Sequence, residues 1–141
     1  MSELYRFGIS IPKDLIESFD QYIREKQYTN RSEAIRDLIR EKLVKRDWDE
    51  LGSDKEVVGA IVSVYDHHKR ELLALLTEIQ HEHYQNIISS QHAHLDHDNC
   101  LEVIIVKGKA KDVRLLGDKI KSIKGIKHSQ LTMTTTGKDL V

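Results

Sequence analysis

Histidine and cysteine residues in this chain are spaced so that their side chains could bind a metal ion together. His92 and His94 stand two residues apart in a stretch predicted to be a strand, so their side chains leave the same face. The turn-forming run 96–99 folds the chain back and brings Cys100, at the head of the next strand, close to His94. Two imidazoles and a thiolate supply three of the four ligands of a metal site. The sequence therefore predicts a metal site that lacks one ligand.

The fourth ligand has to come from another element. His81 and His83 lie on the preceding helix and are the candidates, and a ligand from a neighbouring subunit is open as well. Mixed nitrogen and sulfur donors favour a borderline or soft divalent ion, with zinc as the default and planar nickel or copper sites equally allowed. The competing interpretation is a solvated histidine pair beside a small buried cysteine.

Other features of the sequence narrow the class of protein. A chain of 141 residues is too short for an elaborate multi-domain enzyme, and it carries neither a Gly-rich phosphate loop nor a Gly-x-Ser-x-Gly elbow. The His-x-His pair followed by Cys100 does not match the zinc deaminases. No apolar run approaches the ~20 residues of a membrane span, and the chain opens without a signal-peptide pattern. We expect a cytoplasmic protein without membrane contact that is not an enzyme.

The N-terminal stretch predicts one strand and two helices. Residues 4–11 alternate apolar with polar or small side chains, Pro12 suits the start of a helix, and Asn30 with Glu33 resembles a capping box for a second helix. So few elements cannot bury enough apolar surface alone, and the single strand has two unpaired edges. We expect an obligate dimer in which the strands pair as an antiparallel ribbon.

The remainder of the chain predicts a second unit after a linker rich in turn residues. Its strands are expected at 57–65, 87–95, 101–106 and 127–135, and its helices at 69–84 and 112–124. The order β-α-β-β-α-β is that of the ferredoxin-like fold, with two helices on one face of a four-stranded antiparallel sheet. The fold class is therefore α+β.

Several stretches together resemble the nickel-responsive repressors of the NikR family. They are Tyr5–Pro12, Asn30–Asp37, Gln80-His81, His92-x-His94 and Cys100-Leu101-Glu102. Asn30–Asp37 marks many ribbon-helix-helix proteins, whereas the spaced histidines and the cysteine make the likeness specific. The resemblance implies a ribbon-helix-helix domain over 1–48, a linker over 49–55, and an ACT-like nickel-binding and tetramerisation domain over 56–141. It also implies a homotetramer built as a dimer of dimers.

By this resemblance, each subunit binds one Ni(II) ion in a square plane. The implied ligands are His92, His94 and Cys100 of one subunit and His81 of another. Tyr65 and Glu102 are implied to orient the ligands. The resemblance gives no ligand role to His83, His97 and His128, which we interpret as surface residues or weak secondary ligands.

The resemblance also assigns residues to a double-stranded, palindromic DNA operator. The ribbon face implied to enter the major groove consists of Arg6, Gly8 and Ser10, where Gly8 departs from the family's usual polar residue. Arg31 and Arg36 are implied to position phosphates, and Lys69 and Arg70 to touch the DNA backbone when nickel is bound. Glu33 and Asp37 are implied to hold a potassium-like cation.

The function that follows is a nickel-sensing DNA-binding regulator, expected to repress nickel-uptake genes. One alternative is a ribbon-helix-helix regulator that senses a small molecule through its ACT-like domain. The other is a metal-buffering protein without a role at DNA. Metal-independent DNA binding would favour the first alternative, and a ribbon without operator preference would favour the second.

Overall fold

The computed structural model describes residues 2–50 and 54–141, which fall into two compact units. The first takes in the chain up to Leu43 together with Asp139–Val141, and the second spans Val44–Lys138. The predicted linker falls partly on residues 51–53, which lie outside the described residues. No helix in the described part of the chain is long and apolar enough to cross a membrane.

Two helices dominate the first unit. Helix α1 spans Lys13–Glu25 and follows Pro12 directly, with Pro12 at φ −53° and ψ 140° as the last non-helical residue. Helix α2 spans Arg31–Asp49. The Asn30 side chain accepts a hydrogen bond from the Glu33 backbone N–H at 2.9 Å, which satisfies one of the free donors at the start of α2. The Asn30 cap predicted from the sequence is therefore present.

The strand predicted over residues 4–11 does not form within the single chain. Residues 2–12 have no regular secondary structure, and the side chains of Tyr5, Phe7 and Ile9 are 88%, 69% and 64% exposed. A strand needs a hydrogen-bonded neighbour, and the ribbon prediction takes that neighbour from a second subunit. The exposed apolar side chains are those that such a pairing would cover.

The second unit has the predicted order of elements. Its elements are β1 (Glu56–Asp66), α3 (Arg70–Glu82), a short 3-10 turn (Tyr84–Asn86), β2 (Ile87–His94), β3 (Asn99–Lys109), α4 (Ala110–Lys121) and β4 (Ile126–Thr134). The strands form one antiparallel sheet in the order β2-β3-β1-β4. The prediction of a ferredoxin-like β-α-β-β-α-β arrangement is thus confirmed.

Alternation along the two central strands separates the faces of the sheet. Every second residue of β1 and β3 is buried, and Ile61, Cys100 and Ile104 of this face are at most 1% exposed. They belong to a core that includes Leu76 of α3 and Leu116 of α4, so this is the face that the helices cover. The intervening residues point to the opposite face and are half-buried.

Trp48, near the end of α2, is buried in the second compact unit. Its side chain is 1% exposed, and its Nε1 donates a hydrogen bond to the Thr134 carbonyl at 2.8 Å. The ring also lies where a Cβ at Gly59 would come within 3.3 Å of it. The second compact unit begins at Val44, so the end of α2 belongs to it, and the domain boundary at residue 48 stays a prediction.

Candidate metal centre

The pairing of β2 with β3 positions the predicted metal ligands. His94 lies opposite Cys100 and His92 lies opposite Glu102 in the antiparallel register. Directly opposed residues share a face, so the four side chains leave the sheet on the side that the helices cover. The turn between the strands is fixed by Asp96, whose side chain accepts hydrogen bonds from the backbone N–H groups of residues 98 and 99 at 2.9 and 2.7 Å. The hairpin predicted from the sequence therefore exists with the expected register.

The three predicted ligands of one subunit differ in their exposure to solvent. The rings of His92 and His94 are exposed, with centroids 5.3 Å apart. Cys100 is fully buried, and its thiol donates to the Tyr65 carbonyl at 3.6 Å. Burial raises the pKa of the Cys100 thiol, an effect that the Tyr65 contact partly offsets. A metal that binds this sulfur has to displace its proton.

A buried hydrogen-bond network lies behind His92. Glu102 is 9% exposed and accepts from the Tyr65 hydroxyl at 3.0 Å and from Gln80 Nε2 at 2.7 Å. The Tyr65 hydroxyl is 3.4 Å from His92 Nδ1, and Glu102 Oε2 is 3.8 Å from the same nitrogen. Burial, followed by the charge of Glu102, raises the pKa of Tyr65 and keeps it protonated. A carboxylate and a hydroxyl aimed at an imidazole are the groups that orient a metal-bound histidine.

Gln80 is a member of this network to which sequence reasoning assigned no role. It reaches Glu102 from the last turns of α3, one residue before His81. Its position beside a predicted ligand is the sequence signal that could have pointed to it. Gln80 ties α3 to the strand that carries Cys100.

His81 lies at the exposed end of α3. It lines an open cavity of about 380 Å³ together with Gln80, Tyr84 and Glu102. In the described part of the chain, one set of three His, Cys, Asp or Glu side chains has its ligand atoms within 4.8 Å of one another, and that set is His68, His97 and Asp98. Within one chain, the structure therefore does not bring the ligand atoms of His92, His94 and Cys100 within 4.8 Å of one another, and His81 does not join them.

Two adjacent histidines without a role in the predicted site, His67 and His68, follow β1, and His67 lies beside the predicted ligand His94. The His67 ring is 5.0 Å from that of His94 and 4.2 Å from that of His68. Its Nδ1 is buried with no hydrogen-bond partner in the described residues. Burial and the neighbouring His68 lower the pKa of His67. The adjacent pair directly after β1 was the available signal.

The residues predicted to bind DNA are spread over both units. Arg6, Gly8 and Ser10 lie in the exposed N-terminal segment, and a Cβ added at Gly8 would meet nothing within 4 Å. Arg31 pairs with Asp20 through two hydrogen bonds of 2.8 and 2.7 Å. That bidentate contact lowers the pKa of Asp20, and the arginine is engaged in this structure.

The other predicted contacts include charged side chains that already have partners. Arg36 pairs with Glu33 at 3.0 Å, and Arg40 approaches the same carboxylate at 3.3 Å. The Asp37 carboxylate accepts a hydrogen bond from the Tyr28 hydroxyl. The two carboxylates predicted to hold a cation thus each have protein partners. In the second unit, Lys69 and Arg70 line a cavity of about 500 Å³ at the start of α3, together with Lys124.

Comparison with known proteins decides the family. Residues 58–134 match the family model described as NikR C terminal nickel binding domain, and residues 5–46 match that of the ribbon-helix-helix proteins of the copG family. The chain belongs to the nickel-responsive regulator family. It therefore carries a ribbon-helix-helix DNA-binding domain and a nickel-binding domain of the NikR type, and its family is one of transcription regulators rather than enzymes.

Curated relatives of this NikR-family chain match it over nearly its whole length. A nickel-responsive regulator of Chlorobium phaeobacteroides is 56% identical over 96% of this chain and 98% of its own. Those of Pyrococcus furiosus and Geobacter sulfurreducens are 53% and 55% identical, covering 98% and 99% of this chain and 99% of each relative. An uncharacterised protein of Thermotoga maritima, 11% identical, matches 57% of this chain and all of its own with a TM-score of 0.52, which concerns the fold alone.

Proposed function

We propose that this chain is a nickel-dependent repressor of nickel-uptake genes that acts on DNA in the cytoplasm. The observation that carries the proposal is the buried Tyr65–Glu102–Gln80 network directed at His92, two pairs along the register from His94 and Cys100. A solvated histidine pair has no need of a buried carboxylate behind it, whereas a metal ligand does. The match to a nickel-binding family domain supports nickel as the ion that binds there.

The proposed ligands are His92, His94 and Cys100 from one subunit and His81 from a neighbouring subunit, with one Ni(II) ion per subunit. The donors fit the ion, because imidazole and thiolate both suit nickel and a planar site would disfavour zinc. His81 is exposed on the end of α3, where a second subunit can meet it. When bound, nickel would link two subunits, and Glu102 with Tyr65 would fix the orientation of His92.

A homotetramer is proposed as the working assembly. The sheet face opposite the helices carries Val62, Val64, Leu101, Val103 and Ile105, all of them half-buried in the single chain. Such a contiguous apolar face is what oligomer interfaces cover. A pairing of these units would join two ribbon-helix-helix dimers into a dimer of dimers.

The DNA-binding head is proposed to act as a dimer on a palindromic operator. An apolar cavity of about 490 Å³ in the first unit is open to solvent and is lined by Ile9, Ile11, Leu15, Phe19 and Ile35 among others. Strand pairing between two chains would cover these side chains. It would also leave the alternate positions Arg6, Gly8 and Ser10 on the outer face of the ribbon, available to the major groove.

Nickel and DNA are proposed to favour the same arrangement of the tetramer. Nickel must then raise DNA affinity by the factor by which DNA raises nickel affinity. In that arrangement Lys69 and Arg70, which are exposed at the start of α3, would meet the DNA backbone. Each such phosphate contact would steepen the decrease in affinity with rising salt concentration.

Subunit mixing tests the shared ligand set. His81→Ala and Cys100→Ala each should abolish the nickel-thiolate absorption band and nickel-dependent DNA binding, whereas His128→Ala, at an exposed position on β4, should change neither. In tetramers assembled from equal amounts of the two defective chains, about a quarter of the sites should regain all four ligands. Recovery of that fraction supports a shared site. No recovery in stable mixed tetramers would contradict it.

A further inference from the structure

A second group of possible metal ligands lies outside the proposed nickel site. The ligand atoms of His68, His97 and Asp98 are all within 4.8 Å of one another. His97 Nδ1 is 3.0 Å and His68 Nε2 is 3.6 Å from the same Asp98 oxygen, Oδ1. The rings of His68 and His97 have centroids 5.2 Å apart. Two imidazoles thus converge on one carboxylate.

The loops that carry these side chains are held together by the backbone. One loop follows β1 and the other joins β2 to β3, and the His67 backbone N–H donates to the Asp98 carbonyl at 3.2 Å. Asp66 caps the first loop by accepting from the His68 backbone N–H at 2.9 Å. Asp96 caps the second by accepting from the Asp98 backbone N–H at 2.9 Å. The two loops that carry the group are therefore held together by hydrogen bonds to the main chain before any ion binds.

The charge around the group favours a cation. Two further carboxylates flank the loops, Asp66 beside His68 and Asp96 beside His97, and each accepts hydrogen bonds from backbone N–H groups of its own loop. The opposing cations include Lys69, which acts on Asp66, and Lys127, which is hydrogen-bonded to Asn99. His68 Nε2 also hydrogen-bonds to the His97 carbonyl oxygen at 3.0 Å, so an ion would replace this contact as well as the one between His97 and Asp98.

His67 adds a further imidazole at the edge of the group. Its ring contacts that of His68, and its buried Nδ1 has no partner in the described residues. A buried polar atom without a hydrogen bond needs an explanation, and a nitrogen available to an ion at the edge of the group would provide one. It is an observation independent of the three converging side chains.

We propose that His68, His97 and Asp98 form a second divalent transition-metal site, distinct from the site at Cys100. Imidazole and carboxylate donors select borderline ions such as Ni²⁺, Zn²⁺ or Co²⁺ over Mg²⁺ and Ca²⁺. The side chains are 52%, 88% and 63% exposed, so water completes the shell. The site binds more weakly than a thiolate site, and its ion gives no sulfur charge-transfer band.

The experiment uses the full-length Cys100→Ala chain, in which the thiolate site is disabled, with Zn²⁺ alone as the probe. Histidine ring resonances are followed by long-range 1H-15N correlation spectra of the labelled protein. We expect His68 and His97 to shift together with one saturable dependence on zinc, while His128 does not move. Shifts confined to His92 and His94, or shared equally by His128, would overturn the proposal.

The number of zinc ions bound per chain is then compared between two matched variants. In the same Cys100→Ala background, His68→Gln with His97→Gln should lower zinc binding by about one ion per chain, whereas His128→Gln should leave it unchanged. All of these histidines are exposed, so the fold should persist, which thermal unfolding verifies. Equal zinc binding by both variants would overturn the site without touching the proposed function, because Cys100 is absent from every chain compared.

Discussion

The buried carboxylate of Glu102 offers the sharpest perturbation of the proposed nickel site. It accepts hydrogen bonds from Tyr65 and Gln80 and lies 3.8 Å from His92 Nδ1. Glu102→Gln keeps the size of the side chain, and its amide still offers Tyr65 and Gln80 a polar atom for a hydrogen bond. The substitution removes the negative charge beside His92, so we expect weaker nickel binding in a folded protein.

The size of this effect follows from the distances. Removing the group that orients a ligating histidine costs about 10- to 100-fold in metal affinity, or about 1.4 to 2.7 kcal/mol. The separation of 3.8 Å exceeds a hydrogen bond, so a loss near the lower end, about tenfold, is expected. Tyr65→Phe retains the charge and removes a hydroxyl 3.4 Å from His92 Nδ1, so it measures the contribution of the hydroxyl separately from that of the charge.

The assay is an anaerobic nickel titration against a competing chelator, with thermal unfolding measured in parallel. Glu78→Gln makes the same chemical change at an exposed position on α3 and serves as the control. Unchanged nickel affinity in folded Glu102→Gln protein would refute the orienting role. Equal losses in both variants would assign the effect to overall charge instead.

Four further outcomes are expected. Because burial raises the pKa of the Cys100 thiol, nickel affinity should fall by up to about tenfold for each unit of decreasing pH, with proton release that a pH-indicator titration detects. A constant affinity would contradict this. Gly59→Ala would place a Cβ 2.6 Å from the Thr132 carbonyl oxygen and should lower the free energy of unfolding by about 1–3 kcal/mol in urea denaturation. Arg6→Ala should lose about 1–3 kcal/mol of discrimination at one base pair, and an equal loss on all sequences would instead indicate a phosphate contact. Hydrogen bonds lower the pKa of Asp96 to about 2, so its stabilising effect should be complete above its ordinary pKa and vanish as the pH falls through about 2. Acid unfolding of Asp96→Ala should lack that contribution.

Much of the second unit could be predicted because its strands differ in pattern from its helices. Burial alternates along β1 and β3 because the helices cover one face of the sheet and leave the other partly exposed. An alternation of apolar and polar residues in the sequence predicts this arrangement. The turn residues 96–99 fixed the register that pairs His94 with Cys100. His92 and His94 are two residues apart on one strand, and Cys100 follows a short turn. Their relation is local in sequence, so it can be predicted without a structure.

Contacts between distant parts of the chain were not accessible in the same way. In the sequence, Trp48 stands next to the linker that is rich in turn residues. Its indole nevertheless packs beside Gly59 and donates a hydrogen bond to the Thr134 carbonyl. Gln80 and His68 acquire partners only when α3 and the loops meet the sheet. Sequence periodicity reports the face on which a residue lies, but not which distant residue it meets there.

The four donors do not meet in one chain, and a ligand set divided between subunits would account for the separate position of His81. Three donors alone, with the thiol of Cys100 buried and protonated, offer nickel a weak site, and the His81 of a neighbour would complete it. If nickel binds the assembled tetramer more tightly than the separate subunits, it stabilises the tetramer. The stabilisation equals the difference between the two binding free energies. Nickel concentration would thereby set the arrangement of the subunits, and through it the spacing of the two DNA-binding heads.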